Sequence, residues 1–294
     1  NISGQLANQG ITPANRAAIV LPNGPEMATA FLSISSYMSA APLNPSYKLK
    51  EYEFYLQDLM PKIVIVEKDS HNPAVEAAKN LGIEICEIKK IDNAPAGIFN
   101  LYNKTTNFEL ATENNEALVL HTSGTTSRPK VVPLTNKNIF ASAINISNSL
   151  QLSSQDHCYN IMPLFHIHGL IAVLSSSINA GASVYASSGF NALKFLETAK
   201  KESITWYSGV PTMHQAILMR AKKKPKLAED LSLRFIRSSS ASLPPAVFDE
   251  LKKIFKTTII EAYGMTEATH QMTSNPMPPE KQKAGFVGKP SGPE

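Results

Sequence analysis

Short apolar, β-branched runs alternate with stretches of helical spacing along most of this chain, and that rhythm constrains the fold more than any other feature. Ala17–Leu21 reads as a strand and Pro22–Pro25 as a turn. Glu26–Met38 then places Met27, Phe31, Ile34 and Met38 on one helical stripe. Ile63–Val66 reads as a strand, Pro73–Asn80 as a helix with Pro near its first position, and Ile83–Ile88 as a strand. Further strands are expected at Ala117–His121, Ile161–Leu164, Ser183–Ala186, Ile204–Tyr207, Phe235–Ser238 and Thr258–Glu261. Helices are expected at Thr135–Leu150, with Thr135 as N-cap, and at Ala192–Glu202, Pro211–Arg220 and Ala246–Phe255. This alternation predicts an α/β fold with largely parallel sheets. The polar stretch Ile91–Asn115 carries few signals and reads as an edge element or a joint. It separates a first α/β part, 1–115, from a second, 116–294.

Of 294 residues, 43% are apolar and 18% charged, which supports a sizeable core and excludes disorder for most of the chain. The net charge of +4 is too mild to imply nucleic acid or an anionic membrane by itself. Lys222–Lys226 is a short basic run that reads as a solvated helix end, with RNA binding as the competing reading. Cys86 and Cys158 match no disulfide framework and no metal-ligand spacing, and read as buried free thiols in a reducing compartment. No apolar run approaches the ~20 residues that span a bilayer. No secretory signal opens the chain. It starts at Asn1 without Met and stops at Glu294 in what reads as a loop, so a fragment of a longer protein is expected.

The segment richest in chemistry is Thr122-Ser-Gly-Thr-Thr-Ser-Arg-Pro-Lys130, between the strand ending at His121 and the helix near Thr135. Backbone N–H groups of such a turn can surround phosphate oxygens, hydroxyls add donors, and Lys130 adds a point charge. The following helix offers its N-terminus if it is aimed at the loop. Spacing and order exclude the Walker pattern. On composition alone a Ser/Thr/Gly/Pro cluster is usually just a loop.

The string itself closely resembles the signature loop of the adenylate-forming superfamily, which contains acyl-CoA synthetases, peptide-synthetase adenylation domains and luciferases. Ser127 and Val131 stand where that family usually has glycine. Met162–Gly169 resembles the family's P-x-F-H segment, Arg237–Leu243 its adenine-pocket segment, Glu261–Glu267 its Y-G-x-T-E motif, and Gly285–Pro290 the G-x-x-G-x-P that follows. Within the superfamily, Phe165–Leu170 and Met265–Pro276 look like the oxalate–CoA ligase branch, which includes plant enzymes and a fungal peroxisomal CoA synthetase. Val131-Val132-Pro133 leans toward the fungal members.

The resemblance implies the large N-terminal domain of such an enzyme, built as two stacked βαβ subdomains and truncated before the small barrel and the C-terminal domain. It implies an ATP-dependent carboxylate–CoA ligase: an acyl-adenylate forms with loss of pyrophosphate, and the thiol of coenzyme A then displaces AMP. Thr122, Ser123, Gly124, Thr125, Thr126 and Lys130 would hold the phosphates. Ser240, Ala241, Glu261, Ala262, Tyr263 and Thr266 would hold the nucleotide, with Tyr263 against adenine and Thr266 on the α-phosphate. Glu267 would bind Mg²⁺, a hard cation that prefers oxygen. Lys130, His166, Thr266 and Glu267 are the catalytic candidates. His168, Ser240 and His270 would floor a polar, potentially cationic acyl pocket, suited to a short diacid such as oxalate.

The family's T-G-D motif, hinge and small C-terminal domain with its catalytic Lys fall outside these residues, so little full turnover is expected of the chain alone. Competing readings are a medium-chain or aryl acyl-CoA synthetase and a pseudoenzyme that only binds nucleotide. Peroxisome or cytoplasm is the expected location. A peroxisomal import receptor would read a C-terminal tripeptide outside this chain.

Overall fold

The computed structural model of the protein describes residues 2–122 and 129–292. The chain divides into two compact units, Asn1–Ile139 and Phe140–Glu294.

The first unit contains α1 (Ile2–Asn8), β1 (Arg16–Val20), α2 (Pro25–Ser35), β2 (Ser39–Pro42), α3 (Leu49–Leu59), β3 (Ile63–Val66), α4 (Pro73–Asn80), β4 (Glu84–Glu87), β5 (Lys89–Lys90), β6 (Phe99–Asn100), β7 (Glu116–Thr122), β8 (Lys130–Thr135) and the start of α5 (Asn136–Ser149). Among the described residues its main sheet has the order β4-β3-β1-β2-β7-β8. Pairing is parallel up to β7, and β8 returns antiparallel. Ile63, Val64, Ile65 and Val66 of β3 are all fully buried, as expected for a parallel strand covered on both faces. Arg16 Nε and Nη2 donate to the two Glu116 carboxylate oxygens at 2.6 and 2.8 Å, a fork that clamps the starts of β1 and β7.

The second unit contains β9 (His157–Asn160), a π-helical stretch His168–Ser175 running into α6 (Ser176–Asn179), β10 (Ser183–Ala186), α7 (Ala192–Lys201), β11 (Trp206–Gly209), α8 (Pro211–Lys223), α9 (Pro225–Glu229), β12 (Phe235–Ser238), α10 (Pro245–Phe255), β13 (Thr258–Met265), β14 (His270–Ser274) and β15 (Lys289–Pro290). The sheet order is β10-β9-β11-β12-β13-β14-β15, parallel from β10 to β13 and antiparallel beyond. Tyr207, Phe195, Ile236, Leu251 and Ile259 lie in its core. A second fork, Arg234 Nε and Nη2 to the Asp156 carboxylate at 2.9 Å each, ties β12 to the residue before β9.

Several expectations change. The strand expected at Ile161–Leu164 lies earlier, at His157–Asn160; Ile161 and Leu164 are fully buried, so their apolarity reports burial rather than pairing. The first unit extends to Ile139 rather than to residue 115, because β7 and β8 pair inside its sheet. The α5 N-terminus lies at the far end of the six-residue β8, ~20 Å long, from Lys130. The alternation of buried Val132 and Leu134 with exposed Pro133 marks β8 as an edge strand, the place where a strand proline is tolerated. Thr135 does cap α5: Asn138 N–H donates to its Oγ1 at 3.2 Å, while Thr135 N–H donates to Asn138 Oδ1 at 2.9 Å. Both cysteines are buried and free. Among the described residues no helix is long and apolar enough to cross a membrane.

Candidate active site

In open α/β sheets ligands bind beyond the carboxyl ends of the strands. In the second unit those ends are where the candidate residues gather. A cavity of about 250 Å³ there is lined by Ser238, Ser240, Ala241, Glu261, Ala262 and Tyr263, among others. Glu261 is buried and accepts the Gly285 N–H at 2.8 Å. Burial raises its pKa, and the backbone hydrogen bonds from Gly285 and Leu243 oppose the rise. Tyr263 keeps 49% of its surface exposed, an unusual state for an aromatic and one that suits a stacking partner.

Gly264 explains why this strand carries a glycine. The β13–β14 register shifts between Tyr263 and Gly264, and a Cβ on Gly264 would collide with the His270 carbonyl oxygen. After β13 a single turn, Thr266–Ala268, carries the half-buried Thr266 and the exposed Glu267. The chain then reverses through Thr269 and His270, both at positive φ (53° and 94°), a conformation costly for residues with a Cβ. That reversal leaves the His270 side chain buried.

His168 opens the π-helical stretch, and its side chain is also buried. Wide turns of this kind are rare and cluster at functional sites. Its Nδ1 is 2.9 Å from Ser240 Oγ and its Nε2 is 2.7 Å from Ser208 Oγ. The His168 and His270 rings lie with centroids 5.0 Å apart. The expected triad of His168, Ser240 and His270 therefore comes together.

Its charge is not what the sequence suggested. Burial is the main cause holding both imidazoles well below their usual pKa, with the Arg237 charge adding to it. The histidines are neutral at pH 7. The cation is Arg237, on β12 and wholly buried, with Nη1 3.2 Å from His168 Nε2 and 3.1 Å from Ser208 Oγ, and Nη2 2.8 Å from Gln271 Oε1. Burial lowers its pKa to about 9, which leaves it charged. No carboxylate pairs with it among the described residues. Arg237, Ser208 and Gln271 were missed as site residues. The available signal was Arg237 itself, a charge within the expected buried strand Phe235–Ser238.

The other candidates are placed as follows. Thr122 ends β7 and faces Lys130, the first residue of β8, across the hairpin; both belong to the first unit. Ser123, Gly124, Thr125 and Thr126 lie outside the described residues. His166 is exposed, unlike His168. No cluster of three or more potential metal ligands occurs among the described residues. Mg²⁺ keeps several waters and takes one or two carboxylates plus substrate phosphates, so the exposed Glu267 fits a metal delivered with a nucleotide. In the basic run, Lys222 pairs with Glu250 and Lys224 with Glu197. A wider crevice of about 820 Å³ in the first unit, lined by Glu67, Lys68, Asp69, Glu87 and Lys89, holds none of the candidates.

The chain is 43% identical to an oxalate–CoA ligase of Arabidopsis thaliana over 98% of its own length and 58% of that protein. It is 39% identical to an oxalate–CoA ligase of Saccharomyces cerevisiae over 94% of its length and 55% of that protein. The chain thus spans a little over half the length of these relatives. The solved structure of apo MatB from Rhodopseudomonas palustris superimposes with a TM-score of 0.83 at 23% identity, over 99% of this chain and 57% of that one. The family model for AMP-binding enzymes matches residues 1–293, and the chain belongs to that family.

Proposed function

We propose that this chain is the nucleotide- and acid-binding part of an ATP-dependent carboxylate–CoA ligase whose acid is oxalate. The observation that carries the reading is the buried Arg237, without a carboxylate partner among the described residues, behind His168, Ser240 and His270. A buried charge is costly unless compensated. An anionic acyl group entering beside it supplies the missing compensation, whereas an alkyl chain leaves these polar groups unpaired. Oxalate consists of two carboxylates and nothing else: one is activated, and the other needs donors. The oxalate–CoA ligases among the relatives support the same substrate.

In this reading Ser240, Ala241, Glu261, Ala262 and Tyr263 hold the nucleotide in the cavity they line. Thr266 binds the α-phosphate, Glu267 takes the Mg²⁺ that accompanies ATP, and Lys130 with the preceding hydroxyl-rich segment holds the outer phosphates. His166 helps shape the carboxylate site. The enzyme's work is then alignment and charge neutralisation between two anions, so that a carboxylate oxygen can attack the α-phosphorus and pyrophosphate can leave. Coenzyme A is the second substrate, and peroxisome or cytoplasm its place of action.

The test is pyrophosphate release by the full-length protein with oxalate, malonate, octanoate and coumarate. Oxalate should be used best, and His168→Ala, Ser240→Ala and His270→Ala should each raise the KM for it. If all three variants use oxalate as the wild type does, the pocket assignment is wrong. Preference for octanoate or coumarate would replace oxalate by the corresponding class of acid.

A further inference from the structure

Arg237 cannot accept a hydrogen bond; its guanidinium offers only donors. Its Nη1 lies 3.2 Å from His168 Nε2. That nitrogen must therefore present a lone pair, and its other neighbour, the Ser208 hydroxyl at 2.7 Å, can donate to it as well. A neutral imidazole with an unprotonated Nε2 carries its proton on Nδ1. The Nδ1–H then donates to Ser240 Oγ at 2.9 Å. Ser240, receiving that proton through a lone pair, is left to direct its own hydroxyl proton elsewhere. Its backbone sits at φ 70°, and its side chain lines the cavity. Gln271 holds the arrangement from behind: its Oε1 accepts from Arg237, and its amide donates to Ser149 Oγ at 2.8 Å and Ser291 Oγ at 2.7 Å, which settles the amide orientation.

We propose that Arg237 is a positioning residue that locks His168 in the Nδ1–H tautomer and thereby makes Ser240 a hydrogen-bond donor toward the acid. With the other tautomer Ser240 would spend its proton on His168 and turn a lone pair toward the carboxylate. Burial and neighbouring positive charge keep His168 neutral, which the relay requires. The kinetic consequence rests on the carboxylate-ligase reading; the tautomer does not.

The test is long-range ¹H–¹⁵N NMR of the histidine rings in the full-length protein without substrate, with His168 assigned by its loss in His168→Asn. The wild type should show Nδ1 protonated and Nε2 free. Ser208→Ala should leave this pattern in place, Arg237→Gln should shift or mix it, and Arg237→Lys, which keeps an obligatory donor, should restore it at least in part. In the same proteins the KM for the acid should rise on the order of tenfold in Arg237→Gln, with the KM for ATP little changed. A wild-type His168 protonated on Nε2 overturns the proposal even if no Arg237 variant folds. So does a tautomer set by Ser208, or an Arg237→Gln protein with wild-type spectrum and KM. A correct tautomer in an enzyme that ignores oxalate would leave this inference standing and remove the substrate assignment.

Discussion

The two units bury polar groups for different ends. In the first, Gln5 is fully used: its Nε2 donates to Asn100 at 2.6 Å and its Oε1 accepts the Leu101 and Tyr102 N–H groups. Ser39 Oγ is the buried side-chain atom of that unit left without a partner among the described residues. The second unit buries Arg237, His168, His214 and His270 and leaves Arg237 Nε, His270 Nδ1 and the hydroxyls of Ser238 and Ser239 unpaired. A satisfied polar group serves architecture. Unsatisfied ones cost stability, and one of them, Ser238, lines the cavity together with Ser240, whose backbone sits at φ 70°.

Breaking that contrast begins with activity. If Glu267 takes the Mg²⁺ as proposed, Glu267→Gln in the full-length protein should lower pyrophosphate release on the order of a hundredfold or more. Gln5→Leu should change only the unfolding midpoint. Equal losses of activity from the two would erase the distinction between the units.

The second comparison is pH. Burial depresses the His214 pKa to about 4, and His168 and His270 shift in the same direction. Their stabilising contribution is present above the unfolded value of about 6.5 and is lost as pH falls through the folded values. For His214 alone the loss approaches about 3 kcal/mol. Trp206, the only tryptophan, lies in the core of the second unit. Urea unfolding followed by its fluorescence should give a midpoint that falls from pH 7.5 to pH 5; a flat or rising midpoint contradicts neutral buried histidines.

A third experiment sets stability against function. Arg237→Met removes a buried charge and keeps most of the volume, so stability should stay within about 1 kcal/mol of wild type or rise, while use of the acid falls. A loss of 3 kcal/mol or more, on the scale of a broken buried ion pair, would show that Arg237 is structural first. The smallest effect is at the surface. Lys224→Gln should cost less than about 1 kcal/mol despite its pair with Glu197. A salt-dependent RNA shift lost on changing Lys222 and Lys224 to Gln would give the basic run a function of its own.

Local signals specify an element where they are strong. Ile63–Val66, Pro73–Asn80 and Phe235–Ser238 occur at the expected bounds, because a run of β-branched residues or a proline at a helix start acts over a few residues. Helix α3 gives a weak signal, because its two tyrosines, two glutamates and one lysine hide an apolar stripe of Tyr52, Leu56 and Leu59. β2, Ser-Ala-Ala-Pro, was missed because small residues carry little strand signal, although full burial between neighbours makes it one.

By itself the sequence determined the α/β class, the family motifs and the grouping of His168, Ser240 and His270, which the fold brings within contact. Only the tertiary structure decided which group there carries charge. Protonation depends on desolvation and on neighbours within a few ångströms, and Arg237, His168 and Gln271 become neighbours only when β12, the wide helical turn and β14 pack together.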